Sequence, residues 1–233
     1  MMEFAARAVL DEAMDDPALD EAVYRRCLAD LAKVNRVTFT HLPTLRWLEQ
    51  ATKSWPVGAR ISVLDVGYGQ GDLLRMVAAW AARRSFVADL SGIDLNSRAA
   101  AMARAGVAAD QKIDYRTGDV FAAALPERPD FIVTSQFTHH LTGADILRLL
   151  GWMEAQARCG WHVADLHRHK AAYLLFPLLA WAMRWHPIVR RDGQISIARS
   201  FTRADWERLL AAANLRAEIR WHLLFRYTVS RLK

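Results

Sequence analysis

One stretch constrains this chain more than any other: Ile61-Ser62-Val63-Leu64-Asp65-Val66 runs straight into Gly67-Tyr68-Gly69-Gln70-Gly71-Asp72. The first six residues are apolar and β-branched enough for a strand buried on both faces. The alternating glycines let the backbone turn sharply and lie close against a ligand before a helix begins. Strand, glycine turn and helix in that order open a parallel α/β sheet, and the downstream text keeps the alternation. It reads helix at about 72–84, strand near 87–94, helix at 97–106, strands near 113–117 and 130–135, helix at 143–157 and strand at 160–165. An apolar helical stretch at 171–185, a polar loop at 186–198 and a helix at 202–213 follow, then strand candidates at 216–223 and 225–231 that would form an antiparallel hairpin about Leu224. Upstream, residues 4–52 read as helical, one segment opening at Asp16 or Pro17 and a second helix running over 42–52, until Trp55-Pro56-Val57-Gly58 breaks the pattern.

The charges around the glycine turn select its guest. A dinucleotide fingerprint needs G-x-G-x-x-G/A, whereas the spacing here is G-x-G-x-G and Asp72 takes the third small position. Asp65 before the turn and Asp72 in the first helical position put two carboxylates where a pyrophosphate would seek the positive end of the helix. A diphosphate is disfavoured, and no Walker lysine motif occurs. A guest with an ammonium or sulfonium charge and a ribose suits the same carboxylates. Asp94, in Ser91-Gly92-Ile93-Asp94-Leu95-Asn96, stands at the second strand tip, where a ribose diol is clamped. Thr117-Gly118-Asp119-Val120-Phe121 adds a carboxylate able to accept from an adenine amino group, with Leu95 and Val120 placed to sandwich the ring.

The D-x-G-x-G-x-G turn, the Asp94 strand end, the Gly118-Asp119-Val120 step and the strand-loop over 131–141 together resemble the successive motifs of class I S-adenosylmethionine-dependent methyltransferases. The likeness covers about residues 58–170. It implies a Rossmann-like, doubly wound, mostly parallel seven-stranded sheet with an antiparallel last strand, S-adenosylmethionine along the strand tips, and a substrate capped by helices. Carried over by position, Asp65 and the backbone of Gly67 and Gly69, with Gly71 in the same turn, would hold the methionyl part. Asp94 would hold the ribose, Asp119 and Val120 with Leu95 the adenine, and Gln136 would line the sulfonium side. A single domain results, with a helical cap over 1–57, the cofactor core over 58–170, a lid insertion over 171–200 and a final helix and hairpin over 201–233.

Methyl transfer from a sulfonium asks the protein to align a nucleophile and, where it carries a proton, to remove it. Thr134-Ser135-Gln136-Phe137-Thr138-His139-His140-Leu141 sets two histidines after the fourth core strand, where this family's substrate enters. His140 is the leading candidate base, His139 the second, and His167 in Asp165-Leu166-His167-Arg168-His169 competes, with Asp165 placed to orient a histidine. The chemistry requires no metal. No [DN]-P-P-[FY] follows the fourth strand, which disfavours amine nucleophiles on adenine or glutamine, and neither Cys27 nor Cys159 lies in a strand-tip motif for covalent attack on a pyrimidine. A phenolic or enolic oxygen, or the carbon it activates, is the expected acceptor, in a pocket walled by 173–185 and ending at Arg190-Arg191. The segments Asp165–His169, Arg191–Ser196 and Arg199–Thr202 also resemble a bacterial small-molecule subgroup associated with quinone and polyketide methylation.

Composition adds exclusions. Two cysteines 132 positions apart make neither a disulfide scaffold nor a zinc set, residues 1–20 lack the apolar core of a secretory signal, and a cytoplasmic location fits. The longest apolar run, 171–183, has 13 residues and a proline, against about 20 for a bilayer span. The net charge of +6 is uneven: residues 160–233 hold 13 Lys/Arg against 5 Asp/Glu. That excess supports a rival reading as an RNA methyltransferase, although a solvated face accounts for it more simply and nucleic acid is disfavoured. A non-catalytic adenosyl-binding protein is a second rival; the apolar 173–185 segment is compatible with a core or homodimer helix, and a helix resting on a membrane is a third option that its thin polar face disfavours.

Overall fold

The computed structural model describes residues 4–108 and 111–233. Seven strands, β1 (Arg60–Val66), β2 (Val87–Asp94), β3 (Ile113–Thr117), β4 (Phe131–Ser135), β5 (Gly160–Leu166), β6 (Glu218–His222) and β7 (Arg226–Leu232), form one sheet in the order β3-β2-β1-β4-β5-β7-β6. The pairs from β3 to β5 are parallel, and β7 enters antiparallel between β5 and β6. The Rossmann-like architecture with a reversed last strand is therefore as expected. The order reverses beside β1, which pairs with β2 on one side and β4 on the other, and this is where ligands bind in open α/β sheets.

Helices cover both faces. The helices α2 (Leu42–Ala51), α3 (Asp72–Arg83) and α4 (Ser97–Ala105) contribute Leu45, Leu48, Leu74, Val77 and Ala103 to one core with Val63 and Phe131. On the other face α5 (Gly143–Gln156) and α8 (Arg203–Ala212) place Ile146, Leu149, Trp206 and Leu210 against Ile132, Trp161 and Val163. A third cluster, Cys27, Ala180, Trp185 and Val189, joins α1 (Glu21–Val37), α6 (Lys170–Ala182) and α7 (Pro187–Arg199).

Two stretches differ from the sequence expectation. The 186–198 segment, read as a polar loop, is helix α7. Pro187 supplies the first helical position, the His186 ring accepts from the Ile188 amide, and Val189, Ile195, Ile197 and Ala198 are buried. Its polar residues misled because two of them face inward: buried Asp192 accepts from the amides of Ala13 and Met14, at 3.1 and 2.9 Å, and buried Ser196 donates to Glu12 at 2.8 Å. The second difference is the N-terminal region, which is not helical throughout. A single 3₁₀ turn at Ala13–Asp15 precedes α1, whose Asp20 cap accepts from Val23, and that extended approach lets the segment lie along α7. Among the described residues no helix is long and apolar enough to cross a membrane.

Candidate functional site

A cavity of about 360 Å³ opens where the ends of β1 and β4 meet α1, α6, α7 and the tip of the β6–β7 hairpin. The glycine turn forms one wall. Gly67, Gly69 and Gly71 have φ of 73°, 53° and 73°, the left-handed region that suits glycine. At Gly67 a Cβ would lie 2.5 Å from the Phe137 ring, so the turn also requires close packing. Gly71 caps α3 against Tyr115, whose hydroxyl donates to the Gly71 carbonyl at 3.1 Å.

Three carboxyl groups lie around this turn in different states. Asp72 accepts from Asn35 Nδ2 at 2.8 Å and bonds His41 Nε2 at 2.9 Å, so α1 and the start of α2 satisfy it. Asp94 accepts from the amides of Gly69 and Asn96, each at 2.8 Å, and burial still raises its pKa. Asp65, facing the cavity, has no hydrogen-bond donor among the described residues; complete burial, then the charges of Asp72 and Asp94, push its carboxyl well above the ordinary range. A buried acid with negative neighbours and no donor is stabilised by a cationic guest.

The opposite wall follows β4. Gln136, at φ 58°, lines the cavity while its amide donates to the Ala164 carbonyl at 2.9 Å. A 3₁₀ turn at Thr138–His140 then carries both histidines over the end of β5. Buried Asp165 accepts from the His139 amide at 2.9 Å, the Leu166 amide at 2.8 Å and the Thr138 hydroxyl. It also bonds His139 Nδ1 at 2.7 Å. Burial pushes Asp165 upward, but its interaction with the His139 ring and these bonds outweigh it and hold its carboxyl below the ordinary range. With Nδ1–H donated to Asp165, His139 keeps its Nε2 lone pair.

The sequence expectation had Asp165 orienting a histidine without choosing which, with His167 as the competing base; in the structure Asp165 bonds His139. Register supplies the reason. Ser135 pairs with Ala164, so the residue after β4 and Asp165 lie side by side, and the 3₁₀ turn closes onto that carboxylate. That neighbourhood was readable once β4 and β5 were taken as adjacent parallel strands. His167 lies outside the cavity wall, where Trp221 Nε1 donates to its Nδ1 at 3.3 Å and Tyr227 meets it edge-on. Burial lowers its pKa to about 4, leaving a weak base. His140 does line the cavity, with Nδ1 3.2 Å from Asp15 Oδ2.

Glu12 escaped sequence reading, because nothing in residues 4–20 ties them to a site 127 positions away. It lines the cavity 3.7 Å from His139 Nε2, and its pKa is pushed up to about 7 by burial, against His140 and a 2.8 Å hydrogen bond from Ser196 Oγ. Ligand atoms of Glu12, His139 and His140 lie within 4.8 Å of one another, a geometry open to a metal ion. The Arg199 guanidinium, 3.8 Å from the same Glu12 oxygen, already opposes that charge.

Asp94, Gly71 and the remaining cofactor candidates lie beyond the cavity's lining residues. Leu95 and Asp119 are exposed near the ends of β2 and β3, Asp119 accepting from the Phe121 amide at 2.9 Å, and Val120 packs into the core beside α5. Most of the C-terminal basic residues are paired within the chain, Arg168 and Arg226 buried, Arg199 partly buried and the others nearer the surface. Arg226 bonds Thr38 and Thr40, Arg168 bonds Ser200 and Asp205, and Arg199 bonds the His139 and His140 carbonyls. Arg203, Arg208, Arg220, Arg231 and Lys233 each pair with a carboxylate.

A family model described as a methyltransferase domain matches residues 32–218. No curated protein matches the sequence. Among solved structures, the plantazolicin methyltransferase BpumL in complex with SAH superposes with a TM-score of 0.69 at 14% identity, over 95% of this chain and 94% of that one. Magnesium protoporphyrin IX methyltransferase (ChlM) from Synechocystis PCC 6803 with bound SAH gives 0.57 at 14%, covering 94% and 90%. A SAM dependent methyltransferase from Aquifex aeolicus gives 0.54 at 16%, covering 79% and 88%. At these identities the likeness is one of fold.

Proposed function

Because this chain belongs to the methyltransferase-domain family, we propose that it transfers a methyl group from S-adenosylmethionine to an oxygen or activated carbon of a small phenolic, quinone-like or polyketide-like acceptor. The observation that carries the reading is the pairing, across one cavity, of a donor-less buried Asp65 with the His139–Asp165 dyad. The similar solved structures that hold SAH support the choice of cofactor.

When bound, the cofactor supplies an electrophilic methyl group on a sulfonium. Asp65 and the Gly67–Gly69 backbone would hold its amino-acid end, and Asp94, already fixed by two amides, its ribose. Leu95, Asp119 and Val120 remain candidates for the adenine, outside the enclosed part of the site. Leu28, Leu31, Val34, Phe176 and Leu179 form an apolar wall that excludes water from the acceptor and favours a flat, largely apolar molecule. His139 Nε2 takes the acceptor's proton, and Asp165 stabilises the resulting imidazolium through Nδ1. His140 and Glu12 border the same space and position the acceptor. The test is mass spectrometry of a panel of phenols and polyketide-like enols incubated with the protein and methyl-labelled S-adenosylmethionine. Labelled product from at least one class is expected, and no product with no S-adenosylhomocysteine formed would overturn the proposal.

A further inference from the structure

The outer face of α6 carries Leu174, Leu178 and Trp181 at one helical stripe, exposed to 66%, 63% and 72%. Leu175 and Met183 extend the stripe, while Ala180 packs inward against Trp185 and Val189. The hairpin tip adds exposed Trp221, Leu223 and Leu224, with Leu224 and Phe225 held at positive φ of 65° and 58°. Leu175 and Leu224 are exposed outside and also line the cavity, so the apolar surface runs continuously into the site.

The basic residues complete the pattern. Lys170 opens α6, Arg184 follows its end, and Arg190 and Arg191 lie exposed on α7; all four lack a carboxylate or carbonyl partner among the described residues. Residues 166–191 contain no Asp or Glu. An apolar stripe with an interfacial tryptophan and unpaired cations about it matches a bilayer with anionic headgroups. A second copy fits less well, because a two-fold contact on this face would bring like charges together with no carboxylate from the segment to relieve them.

We propose that α6 and the β6–β7 tip dock on an anionic lipid bilayer, with the cavity mouth turned toward the lipid. The docking itself is independent of the methyl-transfer reading; only the corollary that the acceptor arrives through the lipid rests on it. The experiment is co-sedimentation of the full chain with phosphatidylcholine vesicles, with and without phosphatidylglycerol, at low and high salt. Binding that needs phosphatidylglycerol and weakens with salt is expected. Leu174→Gln with Leu178→Gln should lower the partition coefficient at least about tenfold, as should Arg184→Gln with Arg190→Gln and Arg191→Gln. These positions are exposed and, against the sequence expectation of an acceptor pocket ending at Arg190-Arg191, none of them lines the cavity; circular dichroism with thermal melting checks that the variants fold. No wild-type binding at low salt, or equal binding by both variants, overturns the proposal. So does light scattering that shows a dimer dissolved by the leucine substitutions, which would assign the face to a second copy.

Discussion

Replacing Asp165 with Asn preserves shape while removing the charge beneath His139. The carboxylate is fully buried, His139 is 3% exposed, and the two are 2.7 Å apart. Two unit charges about 4 Å apart at an effective dielectric of about 20 interact by about 4 kcal/mol, an upper bound on what the carboxylate lends to an imidazolium forming above it. At about 1.4 kcal/mol per decade, that is a loss of up to about 10³ in kcat. An asparagine oxygen in the Oδ2 position can still accept from the Thr138 hydroxyl and the His139 amide, but the amide nitrogen then takes the Oδ1 position, where it faces the Leu166 N–H and donates to His139 Nδ1, moving the ring proton to Nε2 and blocking the base. The assay is S-adenosylhomocysteine release with the best acceptor found in the panel, alongside calorimetric titration of S-adenosylhomocysteine. A kcat loss of about 10² to 10³ with cofactor affinity within about twofold is expected. Retention of more than about a tenth of the activity, or parallel loss of cofactor binding, would refute the role given to the dyad.

Asp65→Asn removes a buried acid that burial and two like charges destabilise, so the free protein should melt about 2–4 °C higher for each kcal/mol relieved, while S-adenosylmethionine binds at least about tenfold more weakly. Differential scanning calorimetry and titration read the two effects, and a lower melting point would contradict the electrostatics. Gly67→Ala puts a methyl 2.5 Å from the Phe137 ring at φ 73°, and about 1–3 kcal/mol of lost stability with cofactor binding largely abolished is expected in the same assays. His162, buried beside Trp47 with neither ring nitrogen bonded, has its pKa lowered by burial to about 3. The unfolded chain takes up that proton near pH 6.5 and the folded chain only near 3, so stability is lost as pH falls through this window, by about 2 kcal/mol at pH 5. Melting of His162→Phe against wild type at pH 5 and pH 8 should show a gain confined to pH 5.

The sheet was legible because a fully buried strand, a glycine turn and alternating helices leave few other packings, and because the Asp94 and Gly118-Asp119 steps recur at strand ends. Helix α7 was hidden since its inward-facing Asp192 and Ser196 bond to the N-terminal segment and so imitate a loop. Glu12 was hidden for the matching reason, its place being set by long-range contacts and by no local periodicity. Asp165 was identified as an orienting acid, but its partner depends on the register between β4 and β5.

The most direct measurement is calorimetric titration of the protein with S-adenosylmethionine, with NAD as the comparison and Asp94→Asn as the variant. Saturable binding of the sulfonium nucleoside, weakened by the variant and absent for NAD, is the expected result. No heat with S-adenosylmethionine, or tighter binding of the diphosphate, would contradict the reading of the acidic glycine turn.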